Sequence, residues 1–240
     1  MSTSLLAISA LGFFLGMRHA TDPDHVVAIT TIVARQRSIK SAAVIGGIWG
    51  LGHTLTILAV GGAIILFTWV IPPRVGLSME LSVGVMLIVL GIMNLSGMSD
   101  AIREKRVTKR AAEPDRPVAW LDRRLGGVHL YQLVRPLVIG VVHGLAGSAA
   151  LALLVLTTIG SSAWSLLYLL VFGVGTIVGM MLITAAIGIP FASTGRHSSR
   201  LNAGLRIAAG LVSLGFGLFL AYQIGFGNGL FTGQPHWTPR

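Results

Sequence analysis

From Ala42 to Ile71 the chain runs thirty residues without an Asp, Glu, Lys or Arg, and Ala163 to Phe191 repeats this over twenty-nine. About 20 apolar helical residues cross a ~30 Å hydrocarbon layer. Inside that layer only helices and closed barrels satisfy their own backbone polar groups. Runs this long therefore predict an all-α, polytopic membrane protein. The chain is 53% hydrophobic and 11% charged with mean hydropathy +0.80, and its 31 glycines suit closely packed membrane helices. Six spans are expected: Leu5–Ala34 with an interruption, Ala42–Ile71, Met79–Met98, Val134–Ile159, Ala163–Phe191 and Ala203–Phe226. Met1 to Ser4 has no basic n-region, so a cleaved signal peptide is not expected.

The formal charge of +10 is a statement about topology rather than about nucleic acid. Fifteen basic residues fall on one side of the six spans: Arg35 to Lys40, Arg103 to Arg135, and Arg196 to Arg206. Only Arg74 and Arg240 fall on the other, and Arg18 lies in between. Lys and Arg mark cytoplasmic loops. Both termini are therefore expected outside the cytoplasmic (inner) membrane, with a basic loop at 99–133 lying inside against anionic lipid.

Within the first apolar run stands Arg18-His19-Ala20-Thr21-Asp22-Pro23-Asp24-His25. Each ionised group costs roughly 2.5–3.5 kcal/mol at the centre of a membrane helix on insertion scales, so such residues must pair, line a watery cavity or hold an ion. Pro23 lacks an N–H and disfavours a helical Asp22. Asp then Pro also reads as an N-cap and first helical residue, so the first span is expected to break near Asp22-Pro23. The carbonyls ending the first half-helix favour a cation. His19, Asp22, Asp24 and His25 are candidate metal ligands. With no cysteine in the chain, nitrogen and oxygen donors suit nickel, cobalt or zinc better than calcium. Arg18 is placed to pair with one of the aspartates.

Other polar residues join this centre or stand apart from it. His53, in Gly50-Leu51-Gly52-His53-Thr54 of the second span, is a further candidate ligand. His143 and Ser148, within His143-Gly144-Leu145-Ala146-Gly147-Ser148, are candidates for the pathway or for holding a ligand in place, as are Thr54 and Asn94. Asn94 can equally serve as an inter-helix hydrogen bond. Glu80 reads as an interfacial residue at the outer end of the third span, or as a carboxylate that attracts cations there. His129, His197 and His236 are expected to be solvated.

The two halves repeat. Gly16-Met17-Arg18-His19 is echoed by Gly140-Val141-Val142-His143, 124 positions on, and Gly50-Leu51-Gly52 by Gly173-Val174-Gly175, 123 on. Gly84 and Gly91 return as Gly210 and Gly217, 126 on. Three spans per half place the second half upside down relative to the first. Inverted repeats of this kind typify secondary transporters, whose substrate sites lie near mid-membrane at broken helices. The expected organisation is 1–98 and 134–226 as two three-helix repeats, 99–133 as the basic loop, and 227–240 as a polar tail.

Arg18-His19-Ala20-Thr21-Asp22-Pro23-Asp24-His25-Val26 resembles the R-H-A-x-D-A-D-H-I signature of the nickel/cobalt transporter (NiCoT, or NicO) superfamily, with Pro and Val in place of Ala and Ile. Leu51-Gly52-His53-Thr54 resembles its L-G-H-[ST] motif. The chain is similar to the short, urease-accessory (UreH-like) branch. It has six expected spans instead of eight, and Gly147 to Leu151 carries no acid where classical members have a D-T-A-T-E type motif. The resemblance implies that His19, Asp22, Asp24, His25 and His53 bind transported Ni2+ or Co2+, that no prosthetic group is needed, and that the chain takes metal up. Efflux is the alternative within the superfamily, but exporters tend to carry a His-rich loop and 99–133 has only His129. A non-transporting membrane donor of metal to urease or hydrogenase maturation is another. Neither a P-loop nor a His-Glu-x-x-His motif is present, so no nucleotide motor or zinc-protease chemistry is expected.

Overall fold

The computed structural model describes residues 2–34, 36, 38–69, 71–107, 133–146 and 161–237. Every regular element among them is helical. They are α1 (Ser2–His19), α2 (Pro23–Val33), α3 (Ile39–Phe67), α4 (Pro73–Val107), α5 (Leu133–Ala146), α6 (Ser162–His197) and α7 (Ser199–Tyr222), the last running into a single π turn, Gln223–Gly227. Four are long and apolar enough to cross a membrane: Ile39–Phe67, Pro73–Ser96, Ser162–Gly195 and Arg200–Gly227. The shorter apolar helices Pro23–Val33 and Leu133–Ala146 accompany them.

The first apolar run breaks where the proline rule places the break. Asp22 is extended (φ −61°, ψ 146°) and Pro23 opens α2 as its first residue. Across the gap, Thr21 N–H reaches the Arg18 carbonyl at 2.8 Å and Asp22 N–H reaches the His19 carbonyl at 3.1 Å. These tight i→i+3 bonds close α1 and satisfy carbonyls that a helix end leaves orphaned. At α4 the helix begins at Pro73, six residues ahead of the expected Met79, because proline is well suited to a first turn that needs no N–H. The basic-loop expectation falls largely outside the described residues, as does the end of the fourth span beyond Ala146.

Small residues set the packing. α3 lies along α6, α1 also lies along α6, α4 pairs with α7, and α2 touches α3, α4, α6 and α7. A Cβ added at Gly16 would strike the Phe172 carbonyl, and one at Gly175 the Phe13 carbonyl, so α1 and α6 meet backbone to backbone. Likewise Gly140 abuts the Trp49 carbonyl and Gly52 the Leu137 carbonyl, which joins α5 to α3. Gly84 faces Gly217 and Gly91 faces Gly210 between α4 and α7. Outward faces are apolar instead of charged: Leu51 and Leu55 on α3, Val85, Val89 and Ile92 on α4, and Leu211, Leu218 and Phe219 on α7 are all exposed. A surface of this kind suits lipid and not water.

Candidate metal site

His53 stands fourteen residues from either end of the 29-residue α3, and at ~1.5 Å per residue that is mid-depth in the helix. His19, the last residue of α1, meets it there, with the two Nε2 atoms 3.1 Å apart. His25 enters from the first turn of α2, and His143 from α5. Ring centroids are 4.6 Å apart for His19 and His25, 5.0 Å for His25 and His53, 4.2 Å for His25 and His143, and 5.9 Å for His53 and His143. His25, His53 and His143 are essentially inaccessible, at 2%, 0% and 1% exposed. Trp49 of α3, fully buried, packs its indole against both His25 and His143.

The aspartates face these imidazoles. Asp22 Oδ2 lies 2.7 Å from His19 Nδ1. Asp24 spans two rings, with Oδ1 3.2 Å from His25 Nδ1 and Oδ2 2.9 Å from His143 Nε2. Two sets of donors lie close enough to share one ion, each with its ligand atoms within 4.8 Å of one another: His19, His25 and His53, and Asp24, His25 and His143. Imidazole nitrogens at ~2.0–2.1 Å from a dication sit about 2.9–3.4 Å from each other at right-angled to tetrahedral spacing. The 3.1 Å between His19 and His53 falls inside that interval. His25 Nε2, buried, has no hydrogen-bond partner among the described residues, which leaves a nitrogen lone pair or N–H to be satisfied by something else.

Each expected residue that the structure describes has a definite place. His19, Asp24, His25 and His53 converge. Asp22 turns to His19 and belongs to neither three-donor set among the described residues. Arg18 is exposed and makes no ion pair with Asp22 or Asp24 among the described residues, which corrects the expected pairing: the carboxylates are engaged by histidines instead. Thr54 donates to the Gly173 carbonyl at 3.1 Å, and Asn94 Nδ2 to the Arg206 carbonyl at 2.9 Å, so both tie helices together. Ser148 lies outside the described residues. His143 sits deeper in the centre than its sequence context suggested, and its position as the repeat partner of His19 was the available signal. Trp49 had no polar signature to single it out.

A cavity of about 290 Å³ reaches this centre, lined by His19, Asp22, Asp24, His25, Glu80 and His143 together with apolar residues of α4 and α7. It therefore joins the helix break to the start of α4. Such a basket can bind a borderline dication through neutral imidazoles, with two carboxylates nearby to offset its charge.

Comparison with known proteins gives one family. Residues 5–196 match the NicO family, described as high-affinity nickel-transport protein. The chain is 38% identical over 227 residues to the urease accessory protein UreH of Bacillus sp. (strain TB-90), covering 95% of this chain and 96% of that one. It is 28% identical over 242 residues to the chloroplast protein FOR GROWTH AND FERTILITY 2 of Arabidopsis thaliana, covering 96% of this chain and 60% of that protein. No solved structure matches it significantly. With imidazoles gathered at a helix break among apolar helices and a match spanning most of its length, the chain is a multi-pass, non-enzymatic membrane protein that belongs to the NicO nickel-transport family.

Proposed function

We propose that this protein is a permease that takes up a divalent transition-metal ion, nickel or cobalt, across the cytoplasmic membrane. The observation that carries the proposal is the convergence of His19, His25, His53 and His143 with Asp24 at the broken helix, facing a cavity. The imidazoles of His19, His25 and His53 take the ion. Asp22 and Asp24 hold His19 and His25 by their Nδ1 atoms, as carboxylates commonly do behind metal-bound histidines. His143 in turn steadies Asp24. Two formal negative charges close to a dication make the loaded centre neutral, which a low-dielectric setting demands.

The glycine contacts support two inverted three-helix halves. Gly16 on Phe172 and Gly140 on Trp49 are images of one another under offsets of 124 and 123, and Gly91 on Gly210 is the image of Gly217 on Gly84 under 126. Rocking of one half against the other about the shared centre is the corresponding transport step. The cavity lies toward the start of α4 and the end of α7, the ends that the basic residues assign to the outside, which supports an entry route from that side. A dication gains about 4.6 kcal/mol entering across 100 mV, negative inside, and this favours uptake without a nucleotide motor.

A second function is favoured by the name of the UreH relative: a membrane donor of metal to urease maturation. Flux separates the two. In liposomes with an inside-negative potential, nickel influx is expected, competed by cobalt, and His25→Ala is expected to abolish it while helicity is retained. Unimpaired flux in His25→Ala refutes the site. Nickel binding without flux in the unmodified protein favours the donor.

A further inference from the structure

We propose that Asp24, His25 and His143 form an entry station for the dication, distinct from an inner station of His19, His25 and His53, and that His25 passes the ion from one to the other; this deepens the permease reading and rests on it. The donors of the centre fall into two sets of three that share His25 alone. The cavity separates the sets. Asp24, His25 and His143 all line it, whereas His53 is not among its lining residues and stands behind, at mid-depth of α3. An ion arriving through the cavity therefore meets one complete set of donors before it reaches His53.

The entry set already has the spacing that a shared ion needs. Nitrogen and oxygen donors at ~2.0–2.2 Å from one dication lie about 2.8–3.5 Å apart. Asp24 Oδ2 is 2.9 Å from His143 Nε2, and Asp24 Oδ1 is 3.2 Å from His25 Nδ1. As hydrogen bonds, these contacts put each ring's proton on the nitrogen that faces Asp24. To ligate there, each ring takes its other neutral tautomer, with the proton on His25 Nε2 and His143 Nδ1. Both of those nitrogens are buried without a hydrogen-bond partner among the described residues, so no neighbour ties either ring to one tautomer. Trp49, packed on both rings, keeps them in place, and its indole N–H is a donor only and no rival ligand.

His25 is built to serve both sides. Its Nδ1 faces Asp24, and its Nε2 is free to join His19 Nε2 and His53 Nε2, which are 3.1 Å apart. In the inner position Asp24 stays behind Nδ1 as the holding carboxylate. Two dications so close repel strongly, and the sets share one ring, so a single ion occupies one station or the other. The stations also rank metals differently. The entry carboxylate offsets part of the ion's charge as its water is shed and accepts harder ions too, whereas three imidazoles favour a borderline transition metal. Capture thus precedes selection.

The test combines equilibrium nickel binding, the nickel X-ray absorption spectrum and initial-rate influx into liposomes, with helicity checked for each variant. His53→Ala is expected to abolish influx yet still bind one nickel per chain, now on two imidazoles and an oxygen. His143→Gln retains an N–H toward Asp24 and removes the imidazole. It is expected to raise the half-saturating concentration for influx about tenfold, with nickel still held by three imidazoles. Combining the two substitutions is expected to eliminate binding. A residue that only steadies Asp24 is restored by glutamine, so an unchanged half-saturating concentration in His143→Gln overturns the proposal. Loss of all nickel binding in well-folded His53→Ala, which leaves His143 untouched, overturns it independently. Unmodified protein that binds nickel without influx overturns the permease reading instead, and the binding and spectrum of His53→Ala then still decide whether the entry station exists.

Discussion

Asp22→Asn tests the division of labour between imidazoles and carboxylates most directly. Asp22 touches His19 Nδ1 at 2.7 Å, and its side chain is 47% exposed, so the substitution leaves the buried packing alone. With a ~2.1 Å metal–nitrogen bond on the far side of the ring, the carboxylate sits on the order of 6–7 Å from an ion on His19 Nε2. A dication and one negative charge at that separation attract by about 1.3 kcal/mol in water and about 5 kcal/mol at an effective dielectric of 20. Half-exposure draws the value toward the lower bound. Loss of carboxylates behind metal-bound histidines independently costs about 10- to 100-fold in affinity, or roughly 1.4–2.7 kcal/mol. Nickel titration calorimetry on the purified protein is therefore expected to show binding weakened by that factor, with thermal stability unchanged. Binding within about threefold of the unmodified protein, well under the ~1.4 kcal/mol of a tenfold change, refutes the claim that Asp22 holds His19. Near-complete loss of binding, with an oxygen neighbour missing from the nickel X-ray absorption spectrum, makes Asp22 a ligand and refutes the reasoning differently.

Further outcomes follow from the packing and the topology. Gly140→Val drives a side chain into the Trp49 carbonyl and parts α5 from α3, so it is expected to cost about 1–3 kcal/mol or more and to weaken nickel binding as His143 leaves Asp24. Gly204→Val, with nothing nearby, is the near-neutral control. Because the chain has no cysteine, Gly233→Cys and Gln36→Cys each introduce a single thiol. A membrane-impermeant maleimide is expected to label the first on intact cells and the second only after permeabilisation; the opposite pattern reverses the assigned orientation.

Local rules carried the architecture a long way. Charge-free runs of thirty residues leave no solution but membrane helices, and the proline after Asp22 stops helical geometry whatever surrounds it. The donor types were equally readable: histidines and aspartates in an apolar setting, without sulfur, specify nitrogen and oxygen ligation before any fold is known.

How side chains from separate helices converge was not readable, because it is decided by which backbones touch. Gly140 and Gly144 let α5 settle on α3 at Trp49 and His53, and that contact brings His143 to Asp24 across 119 residues. In the sequence His143 has no carboxylate beside it, and its partner becomes visible only after packing. Asp24 is thereby shared between His25 and His143, whereas Asp22 meets His19 only three positions away. Packing of α4 on α7 and α2 places Glu80 in one cavity with the helix break. The amino-acid order by itself determined that a polar break rich in nitrogen and oxygen donors interrupts an apolar helical run, since hydropathy and proline act within a few residues. Only the tertiary structure decided which nitrogens converge and that His143 joins Asp24, since those contacts bring together residues 34 and 119 positions apart.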